Sequence, residues 1–204
     1  MSNPSSLPRL VLASGSAYRA ELLRRLRLPF VAQAPDIDES ALPGEAPEQT
    51  ALRLAQAKAQ HLAAQFPDSL IIGSDQVATL HGQRLSKPGA HAAALAQLQF
   101  MRGQTVQFHT ALCLLDTRCA PAHVQAENIT VTVRMRNLPD AELDAYLHLE
   151  QPYDCAGSAK NEGLGIALIE EIDNRDPSAL TGLPLIALCS MLRARGMPFF
   201  GLDV

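Results

Sequence analysis

Leu70-Ile71-Ile72-Gly73-Ser74-Asp75-Gln76-Val77 is the stretch that organises the chain. An apolar, β-branched run meets a glycine, and a carboxylate follows at once. The run predicts a short buried strand. The glycine permits a bend, or a close backbone approach that a larger residue would obstruct. In open α/β sheets, ligands sit beyond the carboxyl ends of strands. Asp75 therefore stands where a catalytic carboxylate or metal ligand would be, although an aspartate there also suits the start of a turn.

Upstream, Leu10-Val11-Leu12-Ala13 predicts a first strand, Ser14-Gly15-Ser16 a turn, and Ala17 to Leu26 a helix with Leu22, Leu23 and Leu26 on one face. The start of such a helix offers free N–H groups and a positive dipole end. Ser14, Ser16 and Arg19 add donors there, so an anion site and a simple helix cap are both compatible with the pattern. Asp36-Ile37-Asp38-Glu39 is an acidic segment whose carboxylates suit Mg²⁺ or Mn²⁺, or simply a solvated loop. Glu48 to Phe66 predicts a long helix after Pro47. Leu54, Lys58 and Leu62 share a row on it, so Lys58 either snorkels to solvent or points into a polar cleft.

Downstream, His81-Gly82 marks a hairpin-like turn, and Pro88 holds the backbone of Lys87 extended. Ala90 to Met101 predicts a helix closed by Gly103. Thr105 to Leu115 and Gln125 to Arg136 predict two strands rich in Val, Thr and Ile. Asp140 to Glu150 predicts a helix, Pro152 to Gly165 a glycine-rich loop, and Ile166 to Ile172 a strand. A polar loop from Asp173 to Gly182 and a helix from Pro184 to Arg195 follow. Loops of this kind on a rigid scaffold tend to carry function. The interleaving is compatible with an α/β sandwich on a mixed sheet.

The 204 residues are 47% hydrophobic and 4% aromatic, with no Trp, so one aliphatic core is expected. A net charge of −4 argues against binding nucleic acid through overall charge. Cys113, Cys119, Cys155 and Cys189 show no C-x-x-C pairing, and a reducing cytosol is the natural inference. No signal peptide and no membrane-spanning run are expected. His61, His81, His91, His109, His123 and His148 show no i, i+4 pair and no Cys partner at ligand spacing, so each reads as a surface residue and no structural metal is expected.

Leu12-Ala-Ser-Gly-Ser-Ala-Tyr-Arg19, Asp38-Glu39, Ile72-Gly-Ser-Asp75, Lys87-Pro88, Asp154-Cys-Ala-Gly-Ser158, Glu162-Gly-Leu-Gly165 and Gly182-Leu-Pro-Leu185 together resemble the Maf-like nucleoside triphosphate pyrophosphatases. The resemblance runs from about residue 10 to about residue 195, with the motifs in the family's order. It implies an inosine-triphosphatase-like α/β fold, a mixed elongated sheet flanked by helices, with two lobes around a deep cleft. The whole chain would be one domain, residues 1–8 being a flexible N-terminus. It also implies a cytoplasmic homodimer that hydrolyses a nucleoside triphosphate to the monophosphate and pyrophosphate with a divalent metal cation, Mg²⁺ or Mn²⁺. Some members are linked to inhibition of septum formation.

Carried over by motif, the resemblance makes Asp75 the catalytic residue and, with Glu39, a metal ligand. Ser14, Arg19, Lys58 and Lys87 become phosphate-binding residues. Tyr18, Gln76 and Glu162 resemble the base-reading residues of the 7-methyl-GTP subgroup, as does the Asp154–Ser158 run. Members acting on pyrimidine triphosphates resemble this chain less, with a basic residue, a threonine and a glutamine at those three places. Methylation at the seven position makes guanine cationic, and an aromatic face attracts a cation by roughly 0.5–2 kcal/mol. A carboxylate can accept two hydrogen bonds from guanine's Watson–Crick edge and complement that charge. Many subgroup members carry Trp where Tyr18 stands, which implies weaker stacking here. A pyrophosphatase for UTP, dTTP or another non-canonical nucleotide, and a non-catalytic nucleotide-binding regulator of division, are the alternative readings.

Overall fold

The computed structural model describes residues 7–200, so most of the N-terminal stretch expected to be flexible lies outside the described residues. Its centre is a seven-stranded mixed sheet in the order β2-β1-β3-β5-β6-β7, with β4 pairing β3. The strands are β1 (Arg9–Ala13), β2 (Phe30–Ala32), β3 (Ser69–Leu80), β4 (Gln83–Leu85), β5 (Thr105–Asp116), β6 (His123–Met135) and β7 (Ile169–Asp173). β1 runs parallel to β2 and β3, and the remaining pairings are antiparallel. Among the described residues five α-helices flank the sheet: α1 (Ala17–Arg24), α2 (Pro47–His61), α3 (His91–Met101), α4 (Asp140–Glu150) and α5 (Leu185–Ala194).

Side-chain alternation along β3 explains the layering. Leu70 and Ile72 join Leu10, Leu12, Leu112 and Leu114 beneath α1 and α5. Ile71 points to the other face, against Ala51, Ala55 and Ala59 of α2. Near the far end of β3, Ala78 and Leu80 enter a separate cluster with α3, α4 and the outer halves of β5 and β6. The long strands β3 and β5 thus tie two halves of the core together.

Several boundaries differ from the sequence expectation. β3 does not bend or stop at Gly73; it runs through it, and Asp75 lies within the strand rather than beyond its end. The close-approach reading holds instead: a Cβ on Gly73 would lie 2.0 Å from the carbonyl oxygen of Ala55. α2 ends at His61, not Phe66. Residues Leu164–Leu168 form a 3-10 turn, so β7 begins only at Ile169. The His81-Gly82 turn is as expected, with both residues at positive φ, which suits a tight hairpin. Asp36 to Glu39 is loop. Within it Asp38 accepts the Ser40 N–H at 2.8 Å, so this carboxylate shapes the loop.

Candidate active site

A gap in the sheet creates the site. One edge of β3 pairs with β5 from Leu70 to Thr79 without a break. The other edge pairs with β1 only as far as Gly73, and with β4 only from Ala78. Between those two pairings the edge of β3 is open, and Asp75 and Gln76 line the opening. A cavity of about 740 Å³ fills it, within the size range of small-molecule sites. The carboxyl-end rule is met by β1, whose Ser14-Gly15-Ser16 turn forms the near rim.

That turn is built to receive an anion. Ser16 caps α1, its hydroxyl accepting the Arg19 N–H at 3.4 Å, and Ser14 Oγ accepts the Ser16 N–H at 3.1 Å. The cap and the anion site are therefore compatible: the first-turn N–H groups of Ala17 and Tyr18 have no intrahelical partner. Arg19 Nε donates to the Gly182 carbonyl at 2.9 Å, which holds the guanidinium along the cavity wall. Burial lowers its pKa, while Asp75 and Glu39 favour its charged form.

Lys58 does not snorkel. Its row on α2 faces β3, where the residue is 4% exposed, and its ammonium donates to Asp75 Oδ1 at 2.7 Å. Glu39, from the acidic loop, reaches the same ammonium at 3.1 Å with 57% of its side chain exposed. Asp75 is 6% exposed. Burial raises its pKa and outweighs the opposing pull of Lys58 and Arg19. Lys87 completes the cationic set from the exposed loop between β4 and α3.

Two carboxylates converging beside cationic side chains form a hard-oxygen donor set. Mg²⁺ is commonly held in this way, by one or two carboxylates together with substrate phosphates and water. Asp75 keeps its second oxygen free of protein hydrogen bonds among the described residues. Glu39 and Asp75 are thus the oxygen donors of the cavity that could hold a divalent cation.

The other wall carries the remaining predicted residues. Tyr18, Gln76 and Glu162 all line the same cavity, beside an apolar surface that includes Phe108, Val133 and Met135. Gln76 Nε2 donates to Thr110 Oγ1 at 2.9 Å and to the Ala179 and Leu180 carbonyls at 3.1 and 2.9 Å. Three acceptors around one nitrogen fix the orientation of the amide, so its carbonyl oxygen is the atom left to receive a ligand donor. Burial raises the pKa of the Tyr18 phenol and of the Glu162 carboxyl, although Glu162 as a whole remains exposed.

Alternation divides these residues between the two faces of β3. Gly73 and Asp75 face α2. Ser74 and Gln76 face the loop Ala179–Gly182, with Ser74 Oγ donating to the Gly182 carbonyl at 2.9 Å. The structure thus brings together every residue that the family resemblance singles out for phosphate, metal and base, whereas Asp36 and Asp38 of the acidic segment do not line the cavity. It adds Asn161 and Thr181, joined by a 3.1 Å hydrogen bond in the cavity wall. Their positions in two glycine-bearing polar loops were the available signal. Asp176, in the second of these loops, supports the fold instead. Its carboxylate accepts the N–H groups of Ile186 and Ala187 at the start of α5.

Of the histidines expected at the surface, His109 on β5 is instead buried. His91, Asp144 and His148 lie together between α3 and α4, with one ligand-type atom from each all within 4.8 Å of one another.

The family model described as Maf-like protein matches residues 9–195. A protein of Burkholderia thailandensis named 7-methyl-GTP pyrophosphatase is 60% identical, covering 96% of this chain and 92% of its own. Proteins of the same name from Cupriavidus metallidurans and Burkholderia pseudomallei are 61% and 62% identical, covering 95% and 96% of this chain and 96% and 92% of their own. A solved structure, that of the Staphylococcus aureus Ham1 protein, superposes at a TM-score of 0.42 with 16% identity over 63% of this chain and 72% of that one, too loosely to add to the fold. The motifs of the β1–α1 turn, β3 and the 154–165 loop thus sit in a match that takes in nearly the whole length, and the chain belongs to the Maf-like protein family.

Proposed function

We propose that this protein hydrolyses 7-methyl-GTP to 7-methyl-GMP and pyrophosphate, with Mg²⁺ or Mn²⁺ bound by Glu39 and Asp75. The observation that carries the reading is one cavity with two chemistries. Arg19, Lys58 and Lys87 lie with the Glu39–Asp75 pair, and Tyr18, Gln76 and Glu162 supply an aromatic, an acceptor and a carboxylate. The name shared by the 60–62% identical relatives supports the same substrate.

The triphosphate enters with its negative oxygens against the α1 N-terminus and the three cations. This placement neutralises charge that would repel a nucleophile. A bound divalent cation supplies further neutralisation of the phosphate oxygens. Asp75 takes the proton from a water held beside the α–β anhydride; the water oxygen bonds to phosphorus, and the bridging oxygen leaves with the other product. Its raised pKa makes it a stronger proton acceptor than an ordinary aspartate. Glu162 and the Gln76 carbonyl accept from the guanine edge, and Tyr18 stacks on the cationic ring.

Cytoplasmic location is supported by four free cysteines, and among the described residues no helix is long and apolar enough to cross a membrane. Action as a homodimer of single-domain, two-lobed subunits follows the family resemblance.

Pyrophosphate release by the purified protein, measured with Mg²⁺ and with Mn²⁺ across 7-methyl-GTP, GTP, UTP, dTTP and inosine triphosphate, tests the proposal. Preference for 7-methyl-GTP is expected. Preference for UTP or dTTP would retain the phosphate chemistry and discard the base reading. No turnover with any of them would leave a nucleotide-binding regulator.

A further inference from the structure

His91 is the first residue of α3, and Asp144 and His148 stand one turn apart on α4. His91 Nε2 lies 2.8 Å from Asp144 Oδ1, and His148 Nε2 lies 3.5 Å from Asp144 Oδ2. The two imidazoles are close, their centroids 4.6 Å apart. On its far side His91 Nδ1 lies 3.1 Å from the Tyr153 hydroxyl, which is also 3.3 Å from the Leu147 carbonyl.

We propose that His91, Asp144 and His148 form a second cation site, outside the nucleotide cavity, for a borderline transition-metal ion of the Zn²⁺ type. Two imidazoles and a carboxylate are the donor set such ions select, whereas the all-oxygen pair of Glu39 and Asp75 suits Mg²⁺. The atoms lie close enough to converge on one ion by side-chain rotation, with a fourth position left to water. Tyr153 supplies the outer partner that metal-binding histidines commonly have. With the ion on Nε2, the imidazole proton sits on Nδ1 and is donated to Tyr153 Oη, whose own proton goes to the Leu147 carbonyl. Every proton in that chain has an acceptor.

The site also reaches toward the cavity. Gly89, between Lys87 and His91, donates its N–H to the Tyr153 carbonyl at 2.9 Å. Asp154 and Cys155, which follow Tyr153, line the cavity. An ion here would brace the start of α3 against α4 and hold the Lys87 loop to the 153–155 segment.

Co²⁺ titration of the full-length protein in excess Mg²⁺, followed by visible d–d absorption, tests this for wild type, His91→Ala, His148→Ala and Asp75→Asn. His148 is 69% exposed in its side chain, so its truncation leaves the fold intact, and circular dichroism checks this. One Co²⁺ per chain is expected for wild type and Asp75→Asn. Each histidine variant should bind at least about tenfold more weakly, the low end of what even an outer partner is worth. Zn²⁺ should raise the wild-type melting temperature and leave that of His148→Ala unmoved. Wild-type Co²⁺ affinity in both histidine variants, loss of binding only in Asp75→Asn, or no binding by wild type would each overturn the proposal.

Discussion

The ammonium of Lys58 and the carboxylate of Asp75 meet at 2.7 Å, both almost wholly buried, with α2 supplying one and the middle of β3 the other. Removing one partner of such a pair leaves an uncompensated charge and typically costs about 3–5 kcal/mol. Lys58→Met should therefore be strongly destabilising in urea unfolding. The double variant Lys58→Met/Asp75→Asn should recover most of that loss, a non-additivity that a double-mutant cycle reads directly. Simple addition of the two single effects would mean that the pair is not coupled.

Asp75→Asn alone keeps the shape of the site and removes the proton acceptor. Turnover should fall by roughly 10²–10⁴-fold. Nucleotide binding, measured by calorimetry, should persist. Loss of binding with unchanged single-turnover chemistry would instead assign Asp75 to holding the cation.

The pH dependence has a fixed sign. Burial lifts the Asp75 carboxyl above its ordinary value of 3.8, so the acid limb of kcat/KM should inflect above that value. Stability moves the other way. Between the unfolded and the raised folded pKa, the folded chain binds more protons than the unfolded one. The contribution of this group is therefore fully present below 3.8 and is lost as pH rises through the folded pKa. The pH profile of denaturant midpoints for wild type against Asp75→Asn isolates it.

Glu162→Gln keeps the hydrogen-bonding length and removes the charge. Its effect should fall on selectivity: the ratio of kcat/KM for 7-methyl-GTP over GTP should drop by about tenfold, roughly one charge-assisted contact. GTP turnover should fall too, but less, because GTP loses hydrogen bonds and not the charge complement. An unchanged ratio would remove Glu162 from base reading.

Gly73→Ala tests the close approach of β3 to α2. The added methyl carbon would sit 2.0 Å from a main-chain oxygen, which no side-chain rotation can relieve. A loss of about 3 kcal/mol is expected, at the upper end of overpacking costs. A near-neutral effect would show that α2 can shift away from the strand.

Much of this was legible in the sequence because long elements announce themselves by period. α4 spans the expected Asp140–Glu150, and β5 and β6 differ from expectation only at their ends. β2 and β4, with three residues each, are too short to show any period. Gly73 in isolation reads equally as a bend or as a close approach; only the carbonyl of Ala55 across the layer decides for the second. The row of Leu54, Lys58 and Leu62 left the fate of Lys58 open, because its partner lies on another element. The His91–Asp144–His148 cluster was invisible for the same reason. Asp144 and His148 share a helix face, but His91 comes from a different helix.

The two-sidedness of β3 bears on how a protein of this kind can change. In the proposed function, phosphate chemistry falls to an odd-numbered position, Asp75, and discrimination among bases to an even-numbered one, Gln76. Substitutions at even positions can therefore retune the preferred nucleotide while the hydrolytic machinery stays as it is. A one-residue insertion or deletion within Ser69–Leu80 would have the opposite character. It would exchange the two faces at a stroke, so this strand should tolerate drift in its letters and none in its length.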